Sequence, residues 1–428
     1  MTTINYLKAA HVTRDLEAGL LERLDRFPCV CLYGLKKVGK STLADIIGKT
    51  SESVTKLVLN DPSDRDKLID DPDFFQTHTH GVIIVDEAQN KPEVFDLIKN
   101  ELARCRFSSL KPGRFVILGS ASMEVRKFAH VLAGDCSRVE VVPLSAPEVS
   151  RHFEGQRLAV LDIPTTPAGP VSRAPSSLAT SFDQFQLWCR GGLPDSVFAK
   201  SDRDSLEWRK EYISAYLDRA PPTIGLTASP TLLRRFLDLL ALNQGETWKL
   251  TTYTSSLAAN KADVENCIEV LTNFGFLARL SRWSTIPSNE ITDPPRYYLR
   301  DSGIHHAILG LESESQLRAA ACGGKSWESF VIGALMQSAR VPAKFSYFNH
   351  GGDVELDLVV EFESGKKWAV EIKLSPDPKI NEGNRLAAEA IQAERRIVVH
   401  GGSGSFRKKW NFEAMSLLKA CAEFSAMS

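Results

Sequence analysis

The chain has 428 residues, 43% of them hydrophobic and 25% charged, with a formal net charge of −1. That length implies two or three domains with sizeable cores. The near-neutral balance excludes a chain that is basic throughout, so any nucleic-acid surface must be local. The eight cysteines show neither a CxxC pair nor metal-ligand spacing with His, and read as reduced thiols of a cytoplasmic protein. The N-terminus MTTINYLKAAHVTRD carries no apolar run, and no stretch elsewhere is apolar long enough to span a bilayer, so no membrane contact is expected.

The first expected strand, PCVCLY, runs into Gly34-Leu35-Lys36-Lys37-Val38-Gly39-Lys40-Ser41 and then into the helical spacing of STLADIIGK. This fits G-x-x-x-x-G-K-[ST] in its required strand–loop–helix setting. The glycines let backbone N–H groups turn inward on phosphate oxygens, and the helix dipole adds to the attraction. The cradle therefore comprises Gly34, Leu35, Lys36, Lys37, Val38, Gly39, Lys40, Ser41 and Thr42, with ATP as the expected ligand. Lys40 would reach the β- and γ-phosphates, and the Ser41 hydroxyl would bind Mg2+.

Gly81-Val-Ile-Ile-Val-Asp86-Glu87 reads as a buried strand ending in two carboxylates. Asp86 would organise the Mg2+ shell, and Glu87 would polarise the attacking water. This pair favours hydrolysis over transfer to a second substrate, which sets a small-molecule kinase aside. Arg114-Phe-Val-Ile-Leu-Gly-Ser120 is the next strand, with Ser120 placed to sense the γ-phosphate or the water. Val139-Glu-Val-Val-Pro is expected as a fourth strand, with Arg138 just before it as a candidate phosphate or inter-subunit arginine, or an ordinary surface residue.

Pro164 to Ser177, PTTPAGPVSRAPSS, reads as a mobile linker inside a helical lid. Helical periodicity follows over Leu232–Asn243, Thr252–Ala258 and Asp263–Phe274, and GFLARLSRW turns into a strand. Three helices and a hairpin describe a winged helix, whose third helix would enter a DNA groove. That helix carries two glutamates within VENCIEVLTNF and no cation, poor chemistry for a phosphate-lined groove; a structural or protein-contact role is the alternative.

In the last quarter, Asp357 lies on an expected strand, ELDLVV, and Glu371 and Lys373 on the next, WAVEIK. Alternation places Glu371 and Lys373 on one face. Such an Asp opposite Glu-x-Lys is the constellation of restriction-endonuclease-like folds. Asp357 and Glu371 would bind Mg2+ that activates water and stabilises charge on a scissile phosphate. Lys373 would orient the water, and Glu328, on an upstream helix, would be a further acidic ligand. A buried ion-pair network is the alternative. Phe406 to Trp410, FRKKW, mixes basic and aromatic residues able to touch a nucleic-acid backbone, or forms a surface turn.

Several blocks in order, LVLNDPSDRDKLIDDPDFF, VIIVDEAQNKPEVFDLIK, ILGSAS, VVPLSAPEV, Arg190-Gly-Gly-Leu-Pro194, PPRYYLRDSGIHHAILG, WESFVIGAL, GGDVELDLVV and WAVEIKLS, resemble prokaryotic AAA-type P-loop ATPases that carry a C-terminal domain of unknown function. Lys36-Lys37 stands where that family usually has Arg-Gln, and LAGDCSR breaks its usual Leu-Ala-Gly-Arg. The expected fold is α/β. A P-loop ATPase parallel sheet spans 1–150, and a helical lid with the linker 164–177 spans 151–228. A winged-helix-like domain spans 229–310, and a PD-(D/E)xK nuclease-like α/β domain spans 311–428. Two functions follow. One couples ATP hydrolysis to DNA or RNA binding and possible metal-dependent cleavage. The other is an ATPase switch that binds a protein partner and cuts nothing. Monomer, dimer and ring all stay open.

Overall fold

The computed structural model describes residues 11–71, 73–78, 80–105, 113–120, 134–161, 182–219, 225–284, 293–351 and 353–427. The linker expected at 164–177 lies outside them. Five strands, β1 (Cys29–Gly34), β2 (Val54–Val58), β3 (Val82–Asp86), β4 (Phe115–Ser120) and β5 (Cys136–Glu140), form one parallel sheet in the order β2-β3-β4-β1-β5. Parallel strands need crossover helices on both faces, so their side chains are buried on both. Alternation shows it. Val30, Leu32, Ile84, Val116 and Leu118 enter one core, while Cys29, Cys31, Ile83, Val85, Phe115 and Ile117 enter another. The helix Lys40–Gly48 buries Leu43, Ala44 and Ile47 at helical spacing against the first of these.

The fourth strand read from the sequence begins three residues earlier than expected, at Cys136 rather than Val139. Its backbone pairs with β1 from Cys29↔Cys136 onward, and Cys136 and Ser137 are buried by that pairing. Arg138 is therefore an exposed residue within an edge strand, level with Cys31, and not a residue at the strand ends where a phosphate would sit.

Helices Pro230–Leu242, Leu250–Leu257 and Lys261–Asn273 precede an antiparallel hairpin of β6 (Leu277–Arg282) and β7 (Arg296–Leu299). After the helix Gly323–Ser338 come β8 (Ala343–Asn349), β9 (Glu355–Phe362), β10 (Lys367–Lys373), the helix Glu382–Ala390, β11 (Arg395–His400), β12 (Ser405–Arg407), β13 (Phe412–Ser416) and the helix Leu417–Ser425. These strands do not close on themselves. Ser281 and Arg282 of β6 pair with Ser346 and Tyr347 of β8, giving one mixed sheet of eight strands, β12-β13-β11-β10-β9-β8-β6-β7. The boundary expected at residue 310 thus falls inside a continuous sheet. Among the described residues no helix is long and apolar enough to cross a membrane. Seven described cysteines are free, and of these all but Cys322 are buried.

The middle of the molecule is knit by buried polar groups. The His305 ring bonds to Gln244 and the Ala241 carbonyl, and the His306 ring to the Cys189 carbonyl and Ser326. Burial lowers His305 from 6.5 to about 4 and His306 well below its ordinary value. Both rings are neutral in the fold and protonate more readily in the unfolded chain. The contribution of His305 is complete above about pH 6.5 and is lost as pH falls towards 4, and that of His306 is lost in the same direction. Across that window His305 lowers the unfolding free energy by about 1.4 kcal/mol per pH unit, while the buried Asp357 and Glu371, raised to about 7 and 8, act in the opposite direction. The ring's share is read as the difference in the pH dependence of the urea midpoint between the native chain and His305→Gln; equal pH dependence between pH 6.5 and 5 would refute it.

Candidate functional site

The nucleotide cradle is built where β1 ends and the helix Lys40–Gly48 begins. Gly34 admits no side chain, because a Cβ there would lie 2.2 Å from the Val141 carbonyl oxygen. Gly39 has φ 102° and Lys37 φ 63°, the left-handed conformations that curl the loop. Lys40 is buried and donates to the carbonyls of Gly34 and Leu35 at 3.0 and 2.8 Å. Burial pushes its ammonium down to about 8, opposed by the nearby Glu87 and Asp86 carboxylates. The Ser41 hydroxyl donates to Asp86 Oδ2 at 2.8 Å. A hydroxyl and a carboxylate held together here are the ligand pair a Mg2+ ion with a nucleotide requires, so the donor set fits that ion.

Asp86 closes β3, and its Oδ1 accepts the Glu87 N–H at 2.9 Å. Glu87 adopts φ 55°, ψ 42°, a strained conformation for a non-glycine residue. Its carboxylate accepts from the Gln89 side-chain amide. Ser120 ends β4 level with Gly34, on the strand next to β1; its side chain lies outside the described residues. Thr42 continues the helix behind Ser41.

Three contacts on the cradle had no local signal. Buried Arg14 donates to the Val38 carbonyl at 3.3 Å, to the Val142 carbonyl at 2.6 Å and to Glu148 Oε1 at 3.1 Å. Glu148 sits in PLSAPEV, so one part of this clamp lay inside a quoted block. Tyr212, on the helix Asp202–Arg219, donates to the Lys36 carbonyl at 3.1 Å. Lys37 reaches within 4.0 Å of the Asp195 carboxylate.

The second cluster lies at the end of the β9–β10 ladder. Pairing runs from Lys367↔Glu361 to Val370↔Leu358. Beyond it the Asp357 carboxylate, rather than a backbone carbonyl, accepts the Ile372 N–H at 2.9 Å. That register brings Asp357 to Glu371, and Lys373 Nζ donates to Glu371 Oε1 at 2.5 Å. Glu371 Oε2 is buried and has no hydrogen-bond partner. Glu328 accepts from Tyr298 at 2.8 Å and from Lys325 at 2.7 Å. Four carboxylates, Glu328, Glu355, Asp357 and Glu371, face three cations, Arg296, Lys325 and Lys373. Burial, then the neighbouring Glu328, raises Asp357 to about 7; burial, then Asp357, raises Glu371 to about 8. Among the described residues no three His, Cys, Asp or Glu side chains stand ready-made around a metal position. The partnerless Glu371 oxygen and the all-oxygen donor set are of the kind a divalent cation takes up.

A Gly-rich loop before a helix, a hydroxyl facing the carboxylate of a neighbouring strand, and a parallel sheet ordered β2-β3-β4-β1-β5 define a P-loop ATPase. Residues 26–150 match the family model described as AAA domain, which makes the class a P-loop AAA-type ATPase. Residues 181–315 and 323–419 match two domains of unknown function, DUF8612 and DUF4143. The chain belongs to the family of the uncharacterized proteins Rv2008c of Mycobacterium tuberculosis and Mb2031c of Mycobacterium bovis. It is 32% identical to each over 394 residues, covering 92% of this chain and 81% of theirs. Among solved structures it is similar to the Walker-type ATPase PABY2304 of Pyrococcus abyssi, with 13% identity, a TM-score of 0.47, and coverage of 70% of this chain and 96% of that one. A point variant of RuvB from Thermotoga maritima shares 17% identity at a TM-score of 0.30 over 62% of this chain and 88% of its own.

Proposed function

We propose that the chain hydrolyses ATP with Mg2+ at the Gly34–Thr42 cradle, and that its nucleotide state governs binding and metal-dependent cleavage of DNA or RNA at the Asp357–Glu371–Lys373 cluster, in the cytoplasm. Lys40 neutralises the β- and γ-phosphates, Ser41 and Asp86 hold the Mg2+, and Glu87 orients the attacking water. Ser120 senses the γ-phosphate. The Mg2+ supplies charge neutralisation along the phosphates. At the second cluster Asp357, Glu371 and Glu328 would hold a divalent cation, and Lys373 would face the scissile phosphate. The exposed Phe406, Arg407 and Lys409 offer ring and charge to a nucleic-acid strand.

The observation that carries this reading is the Glu371 carboxylate, buried, with one oxygen bonded to Lys373 and the other to nothing. A purely structural ion pair leaves no reason to bury a bare carboxylate oxygen. The test is cleavage of single- and double-stranded DNA and RNA with Mg2+ or Mn2+, with and without ATP, by the native chain and Glu371→Ala. Cleavage that disappears in Glu371→Ala, with ATP hydrolysis retained, is the expected result; no cleavage by the native chain under any condition overturns it.

One observation favours the switch reading. Both Glu328 oxygens are occupied, by Tyr298 and Lys325, and Lys373 closes on Glu371. In that reading the cluster ties the β9–β10 ladder to the helix Gly323–Ser338, and ATP hydrolysis alters a surface for a protein partner.

A further inference from the structure

The C-terminal cluster is not made by the C-terminal segment alone. Tyr298 and Arg296 stand on β7, within the residues that match one family model, while Glu328, Asp357 and Glu371 lie within those that match another. Tyr298 is buried and donates its hydroxyl to Glu328 Oε1 at 2.8 Å. Arg296 is buried, stacks over the Tyr347 ring at 4.3 Å, reaches Glu355 at 3.3 Å, and lies 3.9 Å from Glu328 Oε1. Its Nε and Nη1 are buried without a hydrogen-bond partner. An orphaned guanidinium edge and the bare Glu371 oxygen therefore lie in one cluster, incompletely satisfied from both sides. The next residue after β7, Arg300, forms an ion pair with Glu140 at the end of β5 in the ATPase sheet. A cavity of about 510 Å3 opens at this junction, lined by Arg14, Glu140, Tyr298, Arg300, Gln337 and Arg340. The joint between the ATPase sheet and the cluster thus has polar contacts around a cavity: Arg296 and Tyr298 on β7 reach the cluster, and Arg300, just after the strand, reaches the ATPase sheet.

We propose that Tyr298 and Arg296 are positioning residues: β7 sets the Glu328 carboxylate for a divalent cation shared with Asp357 and Glu371, so the cation site is composite and is completed by a strand whose next residue, Arg300, pairs with the ATPase sheet. This rests on the cation reading given above. A carboxylate whose lone pairs are fixed by a phenol and an ammonium is oriented before a cation arrives. Removing the phenol frees Glu328 to rotate without touching an oxygen that would bind the ion. Loss of such an outer contact lowers metal affinity by about 10- to 100-fold.

The experiment is calorimetric titration of Mn2+ into the nucleotide-free full-length chain, which leaves the P-loop without its nucleotide. Binding lost in Glu371→Ala assigns the heat to this cluster. Tyr298→Phe is expected to weaken that binding about tenfold. Its melting temperature without Mn2+ should stay close to native, its Mn2+-induced rise should shrink, and its ATP hydrolysis should be unchanged. A merely structural tyrosine would lower the metal-free melting temperature and leave the affinity alone. Tyr298→His, which restores a ring N–H donor at the same place, is the second variant, and its affinity is expected to lie between those of the native chain and Tyr298→Phe. Native-like affinity in Tyr298→Phe overturns the positioning role and leaves the cation reading standing. No Mn2+ binding by the native chain overturns both.

Discussion

ATP hydrolysis by the Lys40→Ala chain is expected to fall at least about a hundredfold, the cost of removing one preorganised charge from a developing phosphate oxyanion. The reason is geometric. Lys40 is buried at the mouth of the loop and already bonded to the Gly34 and Leu35 carbonyls. It needs only to exchange these for phosphate oxygens when nucleotide enters. Burial has lowered its proton affinity, so the ammonium gains from an anion more than an exposed lysine would. Steady-state phosphate release, with the melting temperature as a check on folding, measures the effect. A native rate in Lys40→Ala would remove the basis for the whole nucleotide reading.

The second large effect concerns stability. Arg209 is fully buried; its Nη1 donates to the carbonyls of Cys189 and Gly303 at 2.9 and 2.7 Å, and its Nε to the Ser205 carbonyl at 3.1 Å. It stands under the meeting point of the Arg190-Gly-Gly-Leu-Pro194 block and Asp301–Gly303. The backbones approach so closely there that a Cβ on Gly303 would lie 2.0 Å from the Arg190 carbonyl oxygen. Arg209→Leu removes three hydrogen bonds donated by a buried charge, while the Cys189 carbonyl keeps the His306 ring and the Ser205 and Gly303 carbonyls lie within helices. A loss of about 1.5–3 kcal/mol is expected, read as a lower urea midpoint. A midpoint within experimental scatter of the native one would show that the carbonyls find other donors.

Much of the ATPase half was legible because its signals are local. Continuous apolar runs marked β1, β3 and β4, and the loop after β1 has its residues in consecutive order. The first visible failure was β2, which sits at the sheet edge with Val54 and Lys56 exposed, so its composition lacks the apolar run that reveals a fully buried strand. The strand around Arg138 was misplaced for a related reason. Its start is set by pairing with Cys29, and Cys-Ser-Arg has no strand pattern of its own. Asp357, Glu371 and Lys373 were readable from strand alternation, but Tyr298 and Arg296 were not. They lie about thirty residues from Glu328 and about sixty from Glu355, the carboxylates they contact, a separation at which no periodicity operates.

By itself the sequence determined the chemistry at each strand end: the phosphate cradle, the Asp86-Glu87 pair, and the Asp with Glu-x-Lys on neighbouring strands. These depend on residues a few positions apart, whose relative directions are set by backbone geometry alone. Tertiary structure decided how the centres are joined. The β6–β8 pairing carries the hairpin into the C-terminal sheet, and Arg300–Glu140 anchors that hairpin to the ATPase. Arg14 clamps the P-loop to Glu148. Such contacts form because packing brings distant segments within hydrogen-bond reach, and burial then makes an unpaired charge costly enough to select its partner.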